Sequence, residues 1–334
     1  MSNPAPAEQP DQTAVEPIRI DRQRQRLVNF ATMREMEEPG SEPERGFSAR
    51  LWAQVSLPYR EPKNVPYWER RNGDVTLTVR PALIYNEQTK TRHEAYPFGV
   101  IPRHAMTWMA TEAYRTKDPE LDLGKSMRDF MGKLGINANG QNSKRVTDHM
   151  RRLLGSQLSV EGLIVNEGTG DPQGIRSSYF QIADEVQLWF SAREEQDNPG
   201  LWQSRIRLSD QFYQSIINAP VPVDLKILNA LGSSPMRIDQ YIWLTHRMYY
   251  LERESRITWD QLNGQFGAQF ARSRTFKERF IKNLQAMQIV YSGLNIDVTD
   301  RYLIIKPSPT SIPTISGFKR RKAIEGGGQE SLEA

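Results

Sequence analysis

Lys144, Arg145, Arg151 and Arg152 fall on one segment whose apolar spacing predicts a helix over 143–155, and Arg272, Arg274, Lys277 and Lys282 fall on a second, predicted over 272–290. Lys and Arg grouped on one solvated helix face suit phosphate contact, and a guanidinium can also donate two parallel hydrogen bonds to a guanine edge. At roughly 100° per residue, Val146, Met150, Leu153 and Leu154 share one face of the first helix, with Lys144, Arg145, Asp148, Arg151 and Arg152 on the other. On the second, Phe276, Phe280, Leu284 and Met287 lie together, opposite Arg274, Glu278, Lys282 and Gln285. These eight basic residues are the candidate contacts to double-stranded DNA. Asp148 and Glu278 sit among them, where a carboxylate could exclude wrong contacts or accept from a cytosine amino group. A pair of solvated helix faces in a protein that binds other proteins is the plainer alternative.

Each basic helix is set in the same order of elements. Before the first come a helix over 103–116, with Met106, Met109, Ala110, Ala113 and Tyr114 on one face, and a short helix over 124–135 closed by Gly135. After it come strand-like runs at 158–165, 178–182 and 186–190, read as a long hairpin or small sheet. Before the second, Ser234 and Pro235 open a helix running to Tyr250, and a short helix follows over 257–267 with Thr258 as its cap. After it, 296–300 and 302–305 make a hairpin. Helix, short helix, basic helix and hairpin is the order of a winged helix, whose second helix of the helix-turn-helix commonly enters a major groove. Two copies predict an α+β chain with tandem winged-helix domains and flexible N- and C-terminal tails. Arg176 and Arg301, on the two hairpins, are expected to reach flanking phosphates.

The expected segments are an arm over 1–46, a first winged helix over 47–198, a second over 199–307 and a tail over 308–334. The arm is rich in Pro, Glu and Gln and offers little apolar surface against its ordering entropy. Within it Arg19, Arg22, Arg24 and Arg26 precede Leu27, Val28, Phe30, Met33 and Met36, which reads as a solvated charge run or as a short helix formed on a partner. Runs at 75–79 and 82–85 predict two strands broken at Pro81, and 191–200 predicts a surface connection. In the tail, Lys319, Arg320, Arg321 and Lys322 form a basic cluster with either general DNA affinity or a solvated role.

Composition narrows the remaining choices. The 44 Lys and Arg against 40 Asp and Glu leave a charge of +4, so bulk charge argues little for nucleic acid and clustering must carry the case. Absence of cysteine excludes disulfides, thiolate metal sites and a Cys nucleophile, and suits a reducing cytoplasm. No apolar run reaches the roughly 18 residues of a membrane span, and the N-terminus lacks a signal peptide's apolar core, so no membrane association is expected. Gly124-Lys125-Ser126 imitates the end of a phosphate-binding loop, but Pro119 stands where its first glycine belongs. His93, His104, His149 and His246 are too scattered for a paired-histidine nickase or another metal site. Asp118, Glu120 and Asp122 read as a solvated loop that could hold a cation. A binding protein is expected, with no enzymatic activity, metal or cofactor.

At this point several motifs resemble one family. Tyr96-Pro97-Phe98-Gly99-Val100-Ile101-Pro102-Arg103, then 108–113, Leu123-Gly124-Lys125-Ser126, 130–135 and Met150-Arg151-Arg152-Leu153 are similar to the RepA replication initiators encoded by broad-host-range plasmids. The likeness runs from about Leu83 to Lys306. It implies a protein that binds repeated sites (iterons) at a plasmid origin, opens or bends adjacent DNA, and brings in the host replicative helicase and its loader. It also implies a homodimer in initiators that repress their own promoters. A transcriptional repressor with no replication role, and a winged-helix protein-interaction scaffold, remain alternatives.

Overall fold

The structure is a computed structural model that describes residues 21–37, 43–86, 88–165, 172–188, 204–232, 234–267, 270 and 272–312. Helix α1 (Arg22–Glu35) is followed by strand β1 (Arg45–Ala49), a single turn α2 (Leu51–Gln54), and strands β2 (Trp68–Asn72), β3 (Val75–Arg80), β4 (Ala82–Asn86) and β5 (Thr91–Ala95). Then come α3 (Val100–Thr116), β6 (Glu120–Asp122), α4 (Met127–Lys133), α5 (Gly140–Gly155), β7 (Gln157–Val165), β8 (Pro172–Phe180) and β9 (Ala183–Gln187). The remaining elements are β10 (Arg205–Leu208), α6 (Asp210–Asn218), β11 (Pro220–Asp224), α7 (Leu225–Leu231), α8 (Pro235–Tyr250), β12 (Ser255–Thr258), α9 (Trp259–Phe266), α10 (Ser273–Val290), β13 (Ile296–Val298) and β14 (Tyr302–Ile305). The chain is α+β, as expected.

The C-terminal unit is the simpler. Its sheet has the order β12–β14–β13, all antiparallel, so the strand before α9 joins the hairpin that follows α10. The start of α9 is fixed by a reciprocal cap: Thr258 Oγ1 accepts from Gln261 N at 3.2 Å, and Gln261 Oε1 accepts from Thr258 N at 2.9 Å. Phe280 lies at the centre of a ring cluster, edge-on to Trp243, Trp259 and Phe266 and tilted against Phe276. Residues beyond β14 also pack here, for Ile312 is 1% exposed and Ser311 Oγ lies 3.0 Å from the Tyr241 hydroxyl. The tail expected from 308 therefore begins with a docked segment.

The N-terminal unit has the same helices but divides its strands differently. The hairpin β7–β8 joins β3 in the order β2–β3–β7–β8, whereas β6 pairs with β10, which pairs with β9. Residues 178–180 and 183–187 thus lie in different sheets and do not pair as one hairpin, and 189–190 lie outside the described residues. The chain changes sheets at the buried Ile182, and β8 returns along β7. Strands β4 and β5 form a separate two-stranded ribbon whose Ala82, Ile84 and Ala95 are buried where β4 lies on α5. Gly135, at φ +66°, ends α4 where a side chain would be strained and would strike Asn229.

The cores do not follow chain order. Ile206, Leu208, Phe212 and Ile216 complete the N-terminal core, while Leu27 of α1 and Ala53 of α2 belong to the C-terminal one. Strand β1 pairs with β11, sewing the chain's beginning to its middle. Helix α1 replaces the expected flexible arm over 22–35 because Leu27 and Phe30 find a hydrophobic surface within the chain itself. No helix among the described residues is long and apolar enough to cross a membrane. Residues 1–20, residues 166–171 of the expected β-loop, the expected connection 191–200 and the basic cluster 319–322 lie outside the described residues.

Candidate nucleic-acid interface

Helix α5 begins three positions earlier than 143 because Asn139 Oδ1 accepts from Asn142 N at 2.8 Å, making Asn139 the cap. Val146, Met150, Leu153 and Leu154 are buried, as their spacing predicts. Lys144 and Arg145 are exposed on the first turns, with Arg145 Nη1 3.4 Å from Asn142 Oδ1. The other two arginines are held. Arg151 donates Nη2 to the Tyr85 carbonyl at 3.0 Å, tying α5 to strand β4. The Arg152 side chain is 13% exposed: it donates Nε to Asp148 Oδ2 at 2.7 Å, bonds Glu61 through Nη1, and lies 5.4 Å from the Phe98 ring centre. The structure therefore brings Lys144 and Arg145 together on an open face and turns Arg152 inward. Asp148, read as a possible base contact, serves Arg152 instead.

Helix α10 presents its charges differently. Arg272 is exposed at the cap position and the Arg274 side chain is 89% exposed, with Nε 2.9 Å from Glu278 Oε1. Lys277 is half-buried, 4.9 Å from the Trp259 ring centre, and donates Nζ to the Asp300 carbonyl at 3.0 Å. It thereby ties the helix to the β13–β14 turn. Lys282 is exposed, 3.9 Å from the Asp21 carboxylate that caps α1. Arg279, absent from the eight candidates, is exposed as well. Arg176 on β8 and Arg301 in the β13–β14 turn are exposed on the two hairpins.

Between the units lies a buried ion pair that sequence reasoning missed. Arg103 of α3 donates Nε and Nη2 to the two carboxylate oxygens of Asp239 on α8, at 2.7 and 2.8 Å. Its remaining donors go to the carbonyls of Leu57 at 2.7 Å, Gly99 at 2.6 Å and Pro58 at 3.3 Å, so the whole guanidinium is satisfied. Gly99, at φ +78°, makes the turn that presents its carbonyl. The only signal in the sequence was the Pro97–Pro102 punctuation at the start of α3. The partner 136 positions away had none.

The residues considered for phosphate or cation binding have local structural roles. Ser126 Oγ accepts from Asp129 N at 3.1 Å and caps α4, while Asp118 and Asp122 accept from Glu120 N and Gly124 N at 2.8 and 2.6 Å. Burial pushes His104 and His149 down to about 4 and His246 to about 3.

The segment 96–261, from the Tyr96 turn through α3, α5 and the start of α9, matches the family model described as "Plasmid encoded RepA protein". Over that span the chain belongs to the plasmid-encoded RepA family. The RepA-family span, which marks a plasmid replication initiator, contains α5 and both partners of the Arg103–Asp239 pair, and ends before α10 begins. Two crystal structures of RctB domains 2 and 3 are similar to this chain. A selenomethionine derivative is 14% identical with a TM-score of 0.49, covering 76% of this chain and 96% of that one. The second is 12% identical with a TM-score of 0.46, covering 77% and 96%. No curated protein matches the chain.

Proposed function

We propose that this RepA-family chain initiates plasmid replication as a DNA-binding protein and not as an enzyme, using two winged-helix units to recognise iterons at its origin. The observation that carries the reading is the repeated placement of one amphipathic helix, α5 and α10, packed through its apolar face with cationic side chains toward solvent. Lys144 and Arg145 would contact one stretch of duplex, and Arg272, Arg274 and Lys282 another. Lys277 and Arg301 would set the second hairpin against the flanking backbone. Binding then promotes origin opening and recruitment of the host replicative helicase and its loader.

The deciding experiment titrates the purified full chain against a duplex carrying the direct repeats of its own replicon and against a scrambled duplex, at near-physiological salt. Tighter, salt-sensitive binding to the repeats, followed by strand opening beside them, is the expected result. Repeat-specific binding without opening would favour the repressor alternative. Equal or absent binding to the two duplexes would overturn recognition of the origin.

A further inference from the structure

We infer that α1 is a third nucleic-acid contact, a basic helix clamped beside α10 that meets the phosphate backbone flanking the site α10 reads. The inference rests on the DNA-binding reading above. Helix α1 packs on α10 and α7, and it is pinned at both ends. At its start, the Asp21 carboxylate caps the helix, accepting from Gln23 N at 3.1 Å, and lies 3.9 Å from Lys282 Nζ. At its end, Arg34 pairs with the fully buried Asp224, and Lys226 Nζ lies 2.6 Å from Glu37 Oε1. Asp224 is itself fixed, capping α7 through Lys226 N at 2.9 Å.

With Leu27 buried and Phe30 packed on the C-terminal core, the inner face of α1 is occupied. Arg22, Arg24 and Arg26 are all exposed, and among the described residues none forms an ion pair with them. Arg22 and Arg26, one turn apart, share one flank, and Arg24 lies on the other. Lys282 shares the solvent face of α10 with Arg274 and reaches the start of α1 through Asp21. The first turn of α1 therefore continues the basic surface of α10 instead of standing on a remote side of the unit. Three arginines on a helix fixed at both ends hold their charges in place before DNA arrives, which removes the ordering cost a free arm would incur. Arginine and phosphate are complementary in charge and in hydrogen-bonding geometry.

The test replaces Arg22, Arg24 and Arg26 together by Ala in the full chain, with a companion carrying Lys at all three positions. Each is titrated against the repeat duplex, with flanking sequence retained, over a range of salt. Alanine favours the helix, so the thermal midpoint should stay near that of the parent. The Ala variant is expected to bind at least about tenfold more weakly at roughly 0.1 M salt, with the slope of log affinity against log salt reduced by about two to three, and the Lys variant to keep most of both. An Ala variant with the parent's affinity and slope overturns the inference while leaving α5 and α10 untouched. A parent that fails to bind duplex at all removes the DNA-binding reading first, and this inference with it.

Discussion

Helices α5 and α10 occupy equivalent places in the two units, yet they dispose of their charge in opposite ways. On α5 Arg152 is drawn inward by Glu61 and Asp148, and Arg151, though exposed, is tied to strand β4 through the Tyr85 carbonyl, leaving Lys144 and Arg145 at the open end. On α10 the exposed cations run from Arg272 to Lys282, and α1 adds more alongside. The strands tell the same story: the C-terminal unit closes its own three-stranded sheet, while the N-terminal unit takes β3 and β10 from distant sequence. A charged residue on a helix face becomes available only if no other element lies over it. The N-terminal unit has more such elements.

The sharpest way to break this picture is at the joint both units share. Arg103→Ala would leave Asp239 buried without its partner, and a loss of about 3–5 kcal/mol in urea unfolding is expected, with the units still melting in one transition. Two separated transitions in the parent would instead make the units independent. Next in size is a contrast in binding. Lys144→Ala with Arg145→Ala, and Arg274→Ala with Lys282→Ala, should each weaken duplex affinity about tenfold or more at roughly 0.1 M salt and lower the salt slope by about two, with the fold intact. A loss confined to the α10 pair would show that the open turn of α5 does not touch DNA.

Arg152→Ala tests the inward-turned arginine. Because its partners Glu61 and Asp148 are themselves partly exposed, a modest loss of about 1–2 kcal/mol is expected in thermal or urea unfolding, with the salt slope of the folded protein unchanged. A lowered slope at unchanged stability would return Arg152 to the contact surface. The smallest expected effect is on pH. His104, His149 and His246 have folded-state values depressed below the usual 6.5, so the unfolded chain binds more protons as pH falls through about 6.5 toward 4. Stability is fully present above that window and declines within it. His149→Gln should flatten the decline in urea midpoint between pH 6.5 and 4.5, and an identical decline would mean that His149 is not the titrating group.

The amphipathic helices were legible because their signal is local: α8 runs from Pro235 to Tyr250 with proline at its first position, although the Ser234 side chain makes no cap bond, and Thr258 caps α9. Strands β6, β10 and β11 escaped notice because runs of three to five residues show too little alternation, and their identity depends on partners far along the chain. The same limit governs the interface. Periodicity placed Arg152 on the basic face of α5, but only the approach of Glu61 and Phe98 turns it inward. Likewise Leu27 gave too small an apolar signal to reveal the surface waiting for α1.

The Arg103–Asp239 pair has a consequence for how the two units are set against each other. A fully satisfied guanidinium holding α3 against α8 gives the joint one preferred setting, so the angle between α5 and α10 is a property of the protein itself. On the proposed reading, a site must offer its two contacted stretches in a matching rotational phase. Inserting about five base pairs between them, half a helical turn, would carry the second stretch to the far side of the duplex, and the chain could then hold one half-site or the other, never both.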